Sequence, residues 1–154
     1  IRRYFVSLND EVELLRQVPI FANIEPAKLK LLAFTSERLK FRKGHDLCVQ
    51  GDPGDAAFII IEGEADIIIQ MENGESKTVN KIGKHQIVGE IAILCDVPRT
   101  ATVRASSDVI VLRISKDLFF RLVGEFPQMA VQILRELAAR LENTTAQLAK
   151  ALGN

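Results

Sequence analysis

The chain is short of the residues that most catalytic and metal chemistry needs. It has two cysteines, Cys48 and Cys95, and two histidines, His45 and His85, in 154 residues. Two isolated cysteines make neither a disulfide framework nor a metal cluster, and as free thiols they fit a reducing cytoplasm. A metalloenzyme of the cupin type wants several histidines and a carboxylate converging on one ion; His45 and His85 fall on different loops without such spacing. No Ser-His-Asp or Cys-His set stands out. The expectation is a protein that is not an enzyme and holds no metal. Net charge is missing too: 20 Lys and Arg balance 20 Asp and Glu, which leaves no basic footprint for nonspecific nucleic-acid binding. No apolar run approaches the roughly 20 residues that span a bilayer, and Ile1-Arg-Arg-Tyr-Phe5 lacks the apolar core of a signal peptide. There is no initiator methionine, so the chain is expected to be processed, trimmed or a segment of something longer.

What is present fits one globular domain with a real core. Within Arg2–Val18, Val12, Leu14, Leu15 and Val18 mark a short helix, with Asn9 or Asp10 as its cap. Pro26 opens a second helix through Phe34, a favourable place for proline. From Ser36 the period changes to two: Leu39 and Phe41 alternate with Arg38, Lys40 and Arg42, as in a half-buried strand. Further strands are expected at Leu47–Gln50, Ala57–Ile61, Ala65–Met71, Lys77–Ile82, Thr100–Ala105 and Val109–Ile114. Gly44, Gly51-Asp-Pro-Gly54, Gly63, Asn73-Gly74 and Gly83 supply the turns. Seven or eight short strands at this spacing suggest a barrel or jelly roll. Ser115 then caps a helix over Lys116–Phe126, and Pro127 separates it from a last helix, Gln128 to about Ala151. Leu134, Leu137, Leu141, Thr144, Leu148 and Ala151 repeat there at intervals of three and four, a heptad-like seam widened by Ala130 and Ile133. The seam either packs on the chain's own barrel or joins a second copy; its length favours a homodimer.

The most informative stretch is Val88–Val103, VGEIAILCDVPRTATV. Gly89 permits close backbone approach. Glu90–Leu94 reads as a turn and a half of helix, whose start offers unpaired N–H groups to an anion. Pro98 breaks it. Arg99 brings a rigid fork of donors suited to phosphate oxygens. A carboxylate repels phosphate, so Glu90 needs another task, such as accepting from a ribose 2′-OH. The alternative is a surface Glu–Arg pair that closes a loop. Cys95, inside the string, reads either as a small core filler or as a thiol whose oxidation disturbs binding.

GEIAIL…PRTATV resembles the phosphate-binding cassette of the cyclic nucleotide-binding domain family, which includes catabolite activator proteins, kinase regulatory subunits and gated channels. The resemblance implies an α+β, mainly β fold: an antiparallel β jelly-roll barrel with N-terminal helices (1–35), a barrel (36–115) carrying the cassette (88–103), and C-terminal hinge and lid helices (116–154), all one domain. It implies that Glu90 takes the ribose 2′-OH, that Arg99 pairs with the equatorial phosphate oxygens, that the amides of Ala92 and Thr100 donate to phosphate, and that Gly89 lets the ribose lie close. It also places Ile91 and Ala101 in the same site. Val88 stands where the family usually has an aromatic, which affects packing more than chemistry. Ile67 and Val79 would form the apolar wall for the base. On the last helix, Arg140 begins a second constellation in which Leu141 covers the base and Thr144 and Thr145 meet the adenine 6-amino group, one from each subunit. As an isolated pair these threonines read instead as weak points of the seam.

The resulting expectation is a regulatory module that binds cAMP in preference to cGMP, with the last helix closing over the base. Thr100 bears on that choice, because a threonine beside the arginine can contact a guanine 2-amino group in family members that prefer cGMP. An interaction domain that has lost its ligand is the remaining alternative. No helix-turn-helix follows the lid, so DNA binding is not expected from this segment; nor is membrane binding. The effector is not encoded here.

Overall fold

The computed structural model describes residues 2–3 and 8–153. In chain order the elements are β1 (Arg2–Arg3), α1 (Leu8–Arg16), a single 3-10 turn (Pro19–Phe21), α2 (Pro26–Thr35), β2 (Glu37–Phe41), β3 (Asp46–Cys48), β4 (Ala56–Glu62), β5 (Ala65–Gln70), β6 (Ser76–Ile82), β7 (Ile87–Val88), α3 (Glu90–Leu94), β8 (Thr102–Ala105), β9 (Val109–Ser115), α4 (Lys116–Glu125) and α5 (Pro127–Leu152). The strands form two antiparallel sheets, in the orders β1-β2-β9-β4-β7 and β3-β8-β5-β6. This is the expected mainly β jelly roll with helices before, within and after it.

β4 shows why the molecule is layered as it is. Its run Ala-Ala-Phe-Ile-Ile-Ile is buried throughout rather than alternately. Ala56, Phe58 and Ile60 face the second sheet, with Phe41, Leu47, Val103, Val109 and Val111. Ala57, Ile59 and Ile61 face the helices, with Leu15, Phe21, Leu29, Phe119, Met129 and Ile133. A strand covered on both faces reads as a continuous apolar run because neither face meets water. Inside the sandwich the Phe41 and Phe58 rings meet edge to face, 6.4 Å apart at 88°, a geometry the ring quadrupoles favour.

Several expectations change here. Arg2 and Arg3 are not helical; they pair with Lys40 and Leu39 as an edge strand. Asn9 and Asp10 lie inside α1 rather than ahead of it, where Asp10 and Glu11 in the first turn suit the helix dipole. Arg38 does not face water: it is 7% exposed, and its Nη1 donates to Glu11 Oε1 at 2.8 Å. α1 lies over the outer face of β2, so the charged side of a strand read as half-buried is covered by a helix bearing the matching acid. Cys95 is exposed rather than a core filler, because α3 turns Ala92 and Ile93 inward and ends at Cys95.

Ser115 caps α4 as expected, its Oγ accepting from Leu118 N at 3.2 Å. α5 begins at Pro127 and is about 39 Å long. Met129 and Ile133 are buried and Leu137 is partly so; Arg140 is half-buried, and from Leu141 onward the helix is exposed. Among the described residues no helix is long and apolar enough to cross a membrane.

Candidate functional site

Gly89 ends β7 and caps α3 with φ +91. That left-handed conformation suits glycine, and a Cβ there would collide with the Arg99 guanidinium and approach Ala56 O to 3.1 Å. The helix that follows is seated on the 51–54 turn: Gly54 lies so close to Ala92 that a Cβ on it would overlap that of Ala92. The same turn holds the far end of the cassette, since Arg99 N donates to Asp52 O (2.8 Å) and Gly51 N to Arg99 O (2.9 Å). Two backbone bonds and one glycine contact thus fix α3 and Arg99 relative to each other.

Arg99 is 5% exposed. Its Nη2 donates to Ala56 O at 2.6 Å and its Nη1 to Gly89 O at 3.2 Å. Its guanidinium carbon lies 5.8 Å from the Phe58 ring centroid, within cation–π range. The carboxylate it approaches, Asp55, is 3.6 Å away with its side chain 75% exposed, and Asp55 is shared with Arg113. An exposed, shared acid at that distance is a weak partner. Arg99 is therefore a buried cation positioned mainly by neutral carbonyls.

Glu90 is 4% exposed. Among the described residues it forms no pair with Arg99, so the loop-closing Glu–Arg pair does not occur. Its carboxylate Oε1 instead accepts from Arg140 Nη1, reaching from α5, and Arg140 Nη2 donates to Ile87 O at 3.4 Å. α5 is thereby tied to the first residue of α3.

These groups share a cavity of about 490 Å³, ample for a small organic ligand. Val88, Gly89, Glu90, Ile91, Ala92, Arg99, Thr100 and Ala101 line one end, and Ile67 and Arg140 line it as well. Ala92 N belongs to the first turn of α3, where helical N–H groups lack partners within the helix. Four residues singled out from sequence do not reach this wall. Val79 is 51% exposed: a bulge in the β5–β6 pairing, Ile67 opposite Asn80 but Ile68 opposite Thr78, leaves it as the extra residue, and Asn80 and Ile82 line the cavity instead. Leu141 is 68% exposed. Thr144 and Thr145 are exposed too, and Thr144 Oγ1 donates back to Arg140 O at 2.9 Å.

The helix face at the cavity carries Glu136, Arg140 and Asn143. Their i, i+4, i+7 spacing, which puts them on one helix face, is visible in the sequence. Cys48 also lines the cavity; burial pushes its thiol pKa up, against the pull of Arg99, which keeps it protonated and slow to react. Among the described residues no three His, Cys, Asp or Glu side chains converge as a metal site requires.

Comparison with known proteins follows the same lines. The family model for the cyclic nucleotide-binding domain matches residues 38–126. A CRP-like cAMP-activated global transcriptional regulator of Mycobacterium tuberculosis is 29% identical over 137 residues, covering 89% of this chain and 61% of that protein. A cAMP-dependent protein kinase regulatory subunit of Aspergillus niger is 34% identical over 110 residues, covering 71% of this chain and 26% of that protein. The chain thus spans about three-fifths of the first relative and about a quarter of the second. Among solved structures, a cyclic nucleotide-binding-like protein of Brucella abortus is 32% identical with a TM-score of 0.63, covering 75% of this chain and 98% of that one. The Thermus thermophilus catabolite activator protein shares the fold, with a TM-score of 0.78 at 24% identity over 85% of this chain and 62% of that one. The family match takes in more than half of the chain, from Arg38 through α4, with the Gly89–Arg99 segment and β5 and β6 inside it; this protein belongs to the cyclic nucleotide-binding domain family.

Proposed function

We propose that this regulatory domain senses cAMP in preference to cGMP and transmits occupancy through α4 and α5. The observation that carries the reading is the state of Arg99. A guanidinium this deeply buried, whose one acidic neighbour among the described residues is an exposed carboxylate 3.6 Å away that it shares with Arg113, supports an anion in the cavity, because a buried charge is costly unless paired. In this reading Arg99 grips the cyclic phosphate, with the Ala92 and Thr100 amides as further donors. Glu90 accepts from the ribose 2′-OH on one carboxylate oxygen while the other holds Arg140. Ligand and α5 would then meet at one carboxylate. A ligand that makes those contacts in only one arrangement of the helices shifts the population toward it.

Calorimetric titration with cAMP and cGMP tests the reading. Tighter binding of cAMP is expected, with thermal stabilisation of about 2.7 kcal/mol at 100 times Kd. Tighter cGMP binding, lost in Thr100→Ala, would overturn the choice of base. Absence of heat and of stabilisation with either nucleotide would favour an interaction domain without a ligand.

The exposed stripe Leu134, Leu141 and Leu148, at 65%, 68% and 58% exposure and seven-residue spacing, supports pairing with a second copy along α5. Thr145 lies close to the same stripe, so in this reading the threonine pair acts across that interface. Light scattering should report a dimer that Leu141→Glu converts to monomer. A wild-type chain that stays monomeric at high micromolar concentration would reject the pairing.

A further inference from the structure

The cavity floor crosses the four-stranded sheet in one register row. Cys48 on β3 is opposite Val103 on β8, Val103 is opposite Ile67 on β5, and Ile67 is opposite Asn80 on β6. All four line the cavity. Three present a thiol or aliphatic surface; the last presents a carboxamide. Neighbouring strands lie about 4.8 Å apart, so Asn80 stands two strands, roughly 10 Å, from β8. Thr100 and Ala101 lead into β8 beside Arg99. A ligand with its anionic group at Arg99 and its length along this row brings its far end to Asn80.

The carboxamide is oriented. Lys81 N donates to Asn80 Oδ1 at 2.8 Å, which fixes which end is oxygen and which is nitrogen. A carbonyl oxygen has a second lone pair, and Nδ2 carries two N–H donors. Asn80 therefore offers an acceptor and a donor side by side. Adenine has the complementary pair on its N7 edge, an N6 donor beside the N7 acceptor; guanine has two acceptors there, O6 and N7. Turning the carboxamide to suit guanine would still leave an acceptor facing one of them, and would break the bond from Lys81 N.

We propose that Asn80 is a specificity-determining residue of the cavity, reading the N6/N7 edge of adenine from the barrel side. This rests on the reading that the cavity takes a cyclic nucleotide with its phosphate at Arg99. It assigns to β6 a part of the base recognition that the threonines of α5 were expected to supply.

The test compares cAMP with purine riboside 3′,5′-cyclic monophosphate, which has the same sugar and phosphate but no 6-amino group, by calorimetry on the whole chain. Wild type should bind cAMP about 10-fold tighter than the purine analogue, within the discrimination expected of one bidentate asparagine–adenine pair. Asn80→Val should bind the two equally. Asn80→Asp, nearly the same size on an exposed strand, keeps the acceptor but loses the donor to N7; it should weaken cAMP about 10-fold while unfolding near the wild-type temperature without ligand. If Asn80→Val retains the wild-type ratio, or wild type shows none, while binding still requires Arg99, the assignment of Asn80 is overturned and the cyclic-nucleotide reading stands. If wild type binds neither ligand, both fall together.

Discussion

Replacing Arg99 with alanine should weaken cAMP binding about 10- to 150-fold, the equivalent of the 1.5–3 kcal/mol that charge-assisted hydrogen bonds contribute. The effect should be large because the guanidinium is held in place before ligand arrives. Ala56 O and Gly89 O fix two of its nitrogens, the Phe58 ring lies beside it, and among the described residues a water-screened Asp55 alone competes for its charge. Little reorganisation remains to oppose binding. Arg99→Lys should lose much of the same affinity although the charge stays, since an ammonium cannot reach both carbonyls and present a fork to phosphate. The alanine variant also strips the partner from the buried Ala56 carbonyl, which costs about 1–3 kcal/mol of stability by itself. Urea unfolding without ligand therefore has to accompany the titration. A folded Arg99→Ala protein with wild-type cAMP affinity would remove the phosphate site.

Phe119→Ala should give the largest loss of stability, about 3–5 kcal/mol out of a total of roughly 5–15. For a chain of this size that corresponds to a fall in Tm of about 6–20 °C. Phe119 is fully buried on α4. It contributes to a small cleft with Ile87, Ile133 and Leu137, which Glu90 and Arg140 also line. Its ring thus supports the tie between α5 and α3 without touching the cavity. Alanine there should both open a void and loosen α4 and α5 from the sheet, so saturating cAMP should restore less stability than it gives wild type. Phe119→Leu, which keeps most of the volume, should show a much smaller loss. A loss under 1 kcal/mol in Phe119→Ala, measured by thermal and denaturant unfolding, would mean that the helices are anchored elsewhere.

The cassette was legible because its chemistry is local. Gly89, Glu90, Arg99 and Thr100 lie within one short segment, and the conformational demands of Gly89 and Pro98 act within a residue or two of themselves. Most strands and turns were legible for the same reason, as was the Ser115 cap. Burial of Arg38 was not legible, because a two-residue period says which residues share a face, but not whether a distant helix covers the other one. A β-bulge turns Val79 outward: one extra residue reverses the parity of a strand, and nothing in Thr78-Val79-Asn80 marks where it falls. On α5, Leu134, Leu141 and Leu148 of the seam are exposed, while Leu137 packs partly against the core. Which stripe meets the cavity depends on how the helix lies against the sheet, and that angle is set by Met129, Ile133 and Phe119 packing together.

The sequence by itself determined the family, the mainly β architecture and the two charged side chains at one end of the cavity, because each rests on short-range pattern and backbone preference. Only the tertiary structure decided that Glu90 is held by Arg140 rather than by Arg99, that Asn80 and not Val79 faces the cavity, and that Asn143 rather than Thr144 lines it. Those outcomes depend on strand register and helix rotation, which are fixed by burying apolar surface between elements far apart in the chain. A change of one residue in register, or of a fraction of a turn in rotation, exchanges one neighbour for the next.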